Sequence, residues 1–434
     1  MRIPFTRRTL SNGLDVIVHE DHDLPIVAVN LWYHVGSKNE RRGRTGFAHL
    51  FEHLMFEGSA HHDHGYFAPL QRAGASLNGS TSADRTNYWE VVPSGALDLA
   101  LWLESDRMGH LLPALTQAKF DNQRDVVLNE RRQNYENRPY GMAGLAVAEA
   151  LYDHDHPYSW PTIGSPDDIK AASLDDVQAF FRAYYHPRNA SLVLAGDIDE
   201  AHAFDLAERY FGDLAPGPDV PPVQAAVPRL AGNVRLRLED RVELPRLYLA
   251  WHSPGLFADD DAELDLLADV IGGGKTARLY QALVVEQQLA TEVTAVQYSR
   301  ELTGMFQMVA TAAPGVSLDR LALAIELGLA ETREQPVTAA ELTRSQVQAE
   351  AHFIYRLQTV GGFSGKSDQL NAYNVYRGDP GYVGEDLARY GRASADRLQQ
   401  AAARWLSRPH VALGVVPMGQ TAIGLSDAEA AVVA

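Results

Sequence analysis

The chain has 434 residues, 46% hydrophobic and 22% charged, the balance of a globular protein long enough for two or three domains. Its formal charge of −18 argues against nucleic acid and anionic lipid as partners, because an acidic surface repels phosphate. No run approaches the roughly 18 apolar residues of a membrane-spanning helix, and without cysteine any metal must be held by His, Asp or Glu.

The opening Met1–Arg8 carries no signal-peptide pattern, as a processed mature chain also would not. Leu14–Glu20 alternates like a half-buried strand, and a Leu24-Pro25 break precedes a second apolar run, Ile26–Trp32. Thr45–Gly58 reads as a helix, with Thr45 as N-cap, Gly58 as stop and Phe47, Leu50, Phe51, Leu54 and Met55 as its apolar stripe. Asn78-Gly79, taken alone, is a turn signal. Leu128–Pro139 reads as a second, charged helix. Ser173-Leu174-Asp175-Asp176 opens another with a capping pattern; it stops before His186-Pro187 and leads into a strand, Ala190–Ala195.

Pro216, Pro218, Pro221 and Pro222 predict an extended linker over 215–228, dividing the chain into domains 1–214 and 229–434. Beyond it the signposts return. Val234–Glu239 alternates, Leu244-Pro245 precedes Leu247–Trp251, and a helix opened by Ser394 stops before Arg408-Pro409 and the strand Val411–Val416. Pro25 recurs after 220 residues as Pro245, and Pro187 after 222 as Pro409, which predicts a tandem duplication. Neither half shows strict βαβ alternation. The expected fold class is α+β: two similar domains, each a largely antiparallel sheet with helices packed on one face. Gly272-Gly273-Gly274 lacks phosphate-loop spacing and reads as a hinge or flexible loop.

Within the first helix lies His49-x-x-Glu52-His53. Helical positions four apart stand about 40° apart around the axis and roughly 6 Å along it. Both imidazoles can therefore address one metal ion, with Glu52 beside them to act on a water. Two His on a partly polar edge are also compatible with plain solvation, and a metal centre needs a third ligand.

With Leu128–Pro139 included, the sequence resembles the pitrilysin-type inverzincin metallopeptidases, relatives of mitochondrial processing peptidase and insulin-degrading enzyme. In that family a distant glutamate completes the motif; here 76 residues separate His53 from Glu130. Gly58-Ser59, Asn78–Thr81 with Thr86-Asn87-Tyr88, His156-Pro157-Tyr158, Ile163-Gly164, Tyr184–Asn189 and Gly272–Gly274 with Arg278-Leu279 are similar to family landmarks. They extend the resemblance over essentially the whole chain and match the smaller two-domain members.

The resemblance implies a zinc-dependent endopeptidase with one Zn²⁺ per chain on His49, His53 and Glu130, a fourth position for water, and Glu52 as general base. A peptide substrate is expected as an added strand along the edge containing Ser76–Thr81, with Asn78 touching its backbone. Two departures stand out. Gln123 occupies a place where some members carry another carboxylate. The other half-shell should supply an Arg and a Tyr; Arg300 is available, but Phe306 or Gln307 stands where the tyrosine is expected. The implied partner is a homologous subunit lacking zinc ligands that supplies the Arg/Tyr pair in a heterodimer, with a homodimer as the other arrangement. A non-catalytic structural subunit of the same fold is the alternative, which the intact ligand set argues against. The expected compartment is the bacterial periplasm rather than the cytoplasm. His61-His62-Asp63-His64 could bind a second metal, though His-rich polar loops are ordinarily solvated.

Overall fold

The computed structural model describes residues 1–226 and 228–433, so position 227 of the expected linker lies outside the described residues. The chain forms two units, each built on a six-stranded sheet. The first contains β1 (Thr6–Thr9), β2 (Asp15–Glu20), β3 (Ile26–Tyr33), β4 (Ser76–Thr81), β5 (Thr86–Pro93) and β6 (Ala190–Gly196), in the order β1-β2-β6-β3-β5-β4. Among the described residues of this sheet, only β2 and β6 pair in parallel. The second contains β7 (Val234–Asp240), β8 (Arg246–Ser253), β9 (Ala290–Tyr298), β10 (Gly304–Ala312), β11 (Val411–Pro417) and β12 (Glu429–Ala430), in the order β12-β7-β11-β8-β10-β9.

Strand for strand, β2, β6, β3, β5 and β4 correspond to β7, β11, β8, β10 and β9. The fold is α+β, and the repeated prolines mark a repeated topology: β3 starts directly after Pro25 and β8 directly after Pro245. The serine caps repeat too. Ser173 accepts from Asp176 N at the head of helix Leu174–Tyr184, and Ser394 from Arg397 N at the head of helix Ala395–Trp405.

The units are not continuous halves of the chain. The first comprises Met1–Glu130, Trp160–Gln224 and His352–Glu385; the second comprises Arg131–Ser159, Ala225–Ala351 and Asp386–Ala434. In the first unit helix Leu97–His110 packs on β3 and β5, and helix Lys366–Arg377 packs on β3 and β6. Asn371 of the latter donates to both Asn30 O and Asn30 Oδ1 at 2.8 Å, and Trp32 Nε1 donates to Asp368 Oδ1 at 2.9 Å. Asn30 and Trp32 alternate along β3 with Tyr33, which meets Tyr88 on the other face. In the second unit helix Ala143–Leu151 packs on β8 and β11. Each sheet thus completes its cover with a helix from the other half of the sequence.

Local pattern and packing differ in two places. Val16, Ile17 and Val18 are buried in succession, not alternately, because β2 lies between β1 and β6 with helix Glu200–Phe211 packed against it. The triple glycine, expected as a hinge or flexible loop, begins at the last residue of helix Asp261–Gly272 and runs on beyond it. A Cβ on Gly272 would stand 2.3 Å from Ala295 N in β9, so close helix–strand approach explains that residue. The second unit's core joins Leu247, Trp251, Phe306 and Met308 of the sheet to Leu264, Ile271, Leu321 and Leu398 of its helices, each burial contributing about 1.5–3 kcal/mol. Among the described residues no helix is long and apolar enough to cross a membrane.

Candidate metal centre

The motif lies on helix Phe47–Leu54. Phe47, Leu50, Phe51 and Leu54 are buried as their spacing predicts, which turns His49, Glu52 and His53 to the half-buried opposite side. The helix start differs from expectation. Gly46 precedes it at φ +89°, and the Glu40 carboxylate accepts from Gly46 N at 2.9 Å and Ala48 N at 2.8 Å. Thr45, expected as the cap, instead donates through N and Oγ1 to Asp168 Oδ2 at 2.9 and 2.6 Å.

Four-residue spacing brings the His49 and His53 rings to a centroid distance of 4.9 Å. Glu130 arrives on helix Gln117–Arg131. Its Oε2 lies 3.4 Å from His53 Nε2 and 3.7 Å from His49 Nε2, and one donor atom from each of the three falls within 4.8 Å of the others. The two nitrogens set by helical spacing and the distant carboxylate implied by the resemblance therefore converge. Glu52 stands beside them with Oε2 accepting from Thr81 Oγ1 at 2.7 Å. Glu52, His53, Phe56, Glu57, Phe67 and Gln123 line an open cavity of about 340 Å³.

The polypeptide's own electrostatics move the two imidazoles in opposite directions. Burial, then the neighbouring His53, pulls His49 down to about 4, so its imidazole is neutral at pH 7 with a lone pair to give. Burial pulls on His53 in the same sense, but its hydrogen bond to Glu130 and the charges of Glu52 and Glu130 outweigh that and raise it. Burial raises Glu52, opposed by the Thr81 hydrogen bond and by His53 and Arg85. A carboxylate moved upward this way is a better proton acceptor near neutrality.

Several supporting residues escaped sequence reasoning. Thr81 was visible only as part of a strand, and Glu40 left no local signal. Gln123, one of the departures, is buried and donates to Glu57 Oε1. Behind the motif helix the buried Arg107 guanidinium sits 3.9 Å from the Tyr66 ring centroid and 4.1 Å from that of Tyr88. It pairs with Glu104, Nε to Oε2 at 2.9 Å.

Asn78 lies exposed on β4, the edge strand of its sheet. Gly79 and Thr81 face the motif helix: a Cβ on Gly79 would meet Phe56 Cζ at 3.1 Å, and Thr81 reaches Glu52. Asn78 alternates to the other face, its Oδ1 accepting from Gly79 N at 2.8 Å. In the second unit Arg300 is half-buried over the Tyr158 ring at 5.1 Å, and Phe306 is fully buried in β10.

Comparison with known proteins reaches both halves. The family model described as "Insulinase (Peptidase family M16)" matches residues 15–158, and the one described as "Peptidase M16 inactive domain" matches residues 171–348. Zinc protease PqqE of Helicobacter pylori is 31% identical over 362 residues, covering 82% of this chain and 81% of the relative. Mitochondrial-processing peptidase subunit beta of Blastocladiella emersonii is 27% identical over 260 residues, 58% of this chain and 52% of that protein. A crystal structure of a protease from Helicobacter pylori gives a TM-score of 0.87 at 26% identity, covering 96% of this chain and 100% of that one.

Proposed function

The chain belongs to the insulinase (M16) peptidase family, and on that premise we propose that it is a zinc-dependent endopeptidase hydrolysing internal bonds of peptides or unfolded segments. The observation that carries this reading is the convergence of His49 Nε2, His53 Nε2 and Glu130 Oε2 with Glu52 alongside. Two imidazole nitrogens and one carboxylate are the donor set of catalytic zinc sites, which keep an open fourth position.

A bound zinc ion would supply a Lewis acid that acidifies a water molecule and polarises the scissile carbonyl. His49, His53 and Glu130 would hold it. Glu52 takes a proton from water as the water oxygen adds to the carbonyl carbon, then returns the proton to the nitrogen as the C–N bond breaks. Thr81 keeps the Glu52 carboxylate aimed. The unpaired edge of β4 offers backbone groups to an extended peptide, and Asn78 contributes at that edge.

The chain acts in this reading as the metal-bearing member of a two-subunit enzyme. The support is in the sequence: Phe306, which is buried, or Gln307 stands at the place where the resemblance leads one to expect tyrosine, and neither carries a phenolic hydroxyl. A homologous partner would then supply the Arg/Tyr pair.

The test is Glu52→Gln, assayed on mixed peptides with and without such a partner. Zinc content should stay at about one ion per chain at the motif while turnover falls by about 10²–10⁴-fold. Turnover equal to that of the unaltered protein would sink the assignment.

A further inference from the structure

The turn after the motif helix carries His61, His62, Asp63 and His64. Its backbone is pinned: Ser59 N donates to His62 O at 3.0 Å, and Ala60 N donates to His110 O at 2.9 Å. Gly58 enters it at φ +100°, where a Cβ would stand 2.7 Å from His62 O. Helix Leu97–His110 presents Asp106 and His110, four residues apart and so on one face.

Asp106 is only 3% exposed. Its Oδ1 lies 2.5 Å from His61 Nδ1, and its Oδ2 accepts from Ser59 Oγ and from His61 N, the latter at 3.2 Å. The His61 and His110 rings meet edge-on with centroids 4.9 Å apart. One donor atom each from His61, Asp106 and His110 falls within 4.8 Å of the others, as in the motif cluster. The outer side is open, with the His61 side chain 61% exposed and His110 exposed. A simple ion pair accounts for His61 with Asp106. It does not account for a second imidazole held against the first by the Ala60–His110 backbone bond.

We propose that His61, Asp106 and His110 form a second site for a borderline divalent cation such as Zn²⁺, which clamps the turn after the motif helix to helix Leu97–His110. Two imidazoles and a carboxylate suit that class of ion, and Ser59 fixes the carboxylate as the oriented supports of metal ligands do. The open side makes this the weaker, more readily exchanged of the two sites.

Equilibrium dialysis of the full chain against Zn²⁺, with metal analysis, tests this. The unaltered protein should take up two ions per chain, His110→Ala one, and the double variant His49→Ala/His53→Ala one. The double variant His62→Ala/His64→Ala should still take up two, which separates this site from the neighbouring histidines. If circular dichroism shows His110→Ala misfolded, the exposed His61→Gln replaces it, with the same expected loss of one ion. Saturation at a single ion that His49→Ala/His53→Ala removes would overturn the proposal and leave the motif site standing. So would a second ion that survives both His110→Ala and His61→Gln. A chain whose only ion is lost in His110→Ala would instead overturn the motif site.

Discussion

Thr81 is the residue on which Glu52 depends for its aim, through one hydroxyl hydrogen bond of 2.7 Å. Thr81→Val keeps the shape and removes the donor. Turnover should fall about tenfold or more while zinc content is unchanged, read by steady-state kinetics beside metal analysis; loss of zinc instead would make Thr81 a support of the ligands. His156 bears on stability. It is buried, its Nδ1 accepts from Tyr158 N at 3.1 Å, and its ring stacks on Tyr152. Burial first, then the neighbouring His252, pulls it from 6.5 down to about 4. An unfolded histidine takes its proton as pH falls through 6.5, and the folded one resists to about 4. Its contribution is therefore complete above 6.5 and lost as pH falls from 6.5 to 4. Urea midpoints should drop across that window, and His156→Asn should flatten the slope; an unchanged slope would assign it to other groups. At this scale helical geometry made the His49/His53 pair with Glu52 beside it legible, while Glu130 was reached only through the resemblance to the metallopeptidase family. Thr81 and Arg107 were not legible, since their contacts cross elements and leave no periodic trace.

The motif helix was legible as an element because its apolar stripe is strict, but its beginning was not. Thr45 has the residue type of an N-cap, yet its hydrogen bonds go to Asp168, and the cap comes from Glu40, across a loop that no local rule records. Gly46 makes that arrangement possible. It sits at φ +89°, and a Cβ there would stand 2.5 Å from Ile169 Cδ1 and 2.9 Å from Ile163 O. Gly46→Ala combines left-handed backbone strain with a steric clash, so it should destabilise by about 1–3 kcal/mol. Chemical denaturation measures that cost directly. Because the residue starts the helix that carries both imidazoles, zinc affinity should weaken in the same variant; unchanged affinity with lowered stability would show that the helix holds its place without this turn.

For the whole molecule, duplication was legible and exchange was not. Matched prolines and serine caps declare two copies of one topology, but nothing in a local pattern says on which sheet a given helix lands. That is decided by packing between segments far apart in sequence. The first sheet receives helix Lys366–Arg377, whose Asp368, Leu370, Asn371 and Asn374 are buried, and the second receives helix Ala143–Leu151. Asn374 donates to Ser191 Oγ on β6 at 2.9 Å, as Asn371 does to Asn30 on β3. Each such bond contributes about 1 kcal/mol net, and a helix this polar has little reason to form without its sheet. A cut within 215–228 therefore produces fragments that each lack a helix their sheet requires and carry one with nowhere to pack. Fragments 1–214 and 229–434 should each show helix content but no native near-ultraviolet circular dichroism. Mixed in equal amounts they should recover the signal, and zinc uptake at the motif with it. Native spectra from either fragment alone would mean that the exchanged helices cover the sheets without being needed to form them.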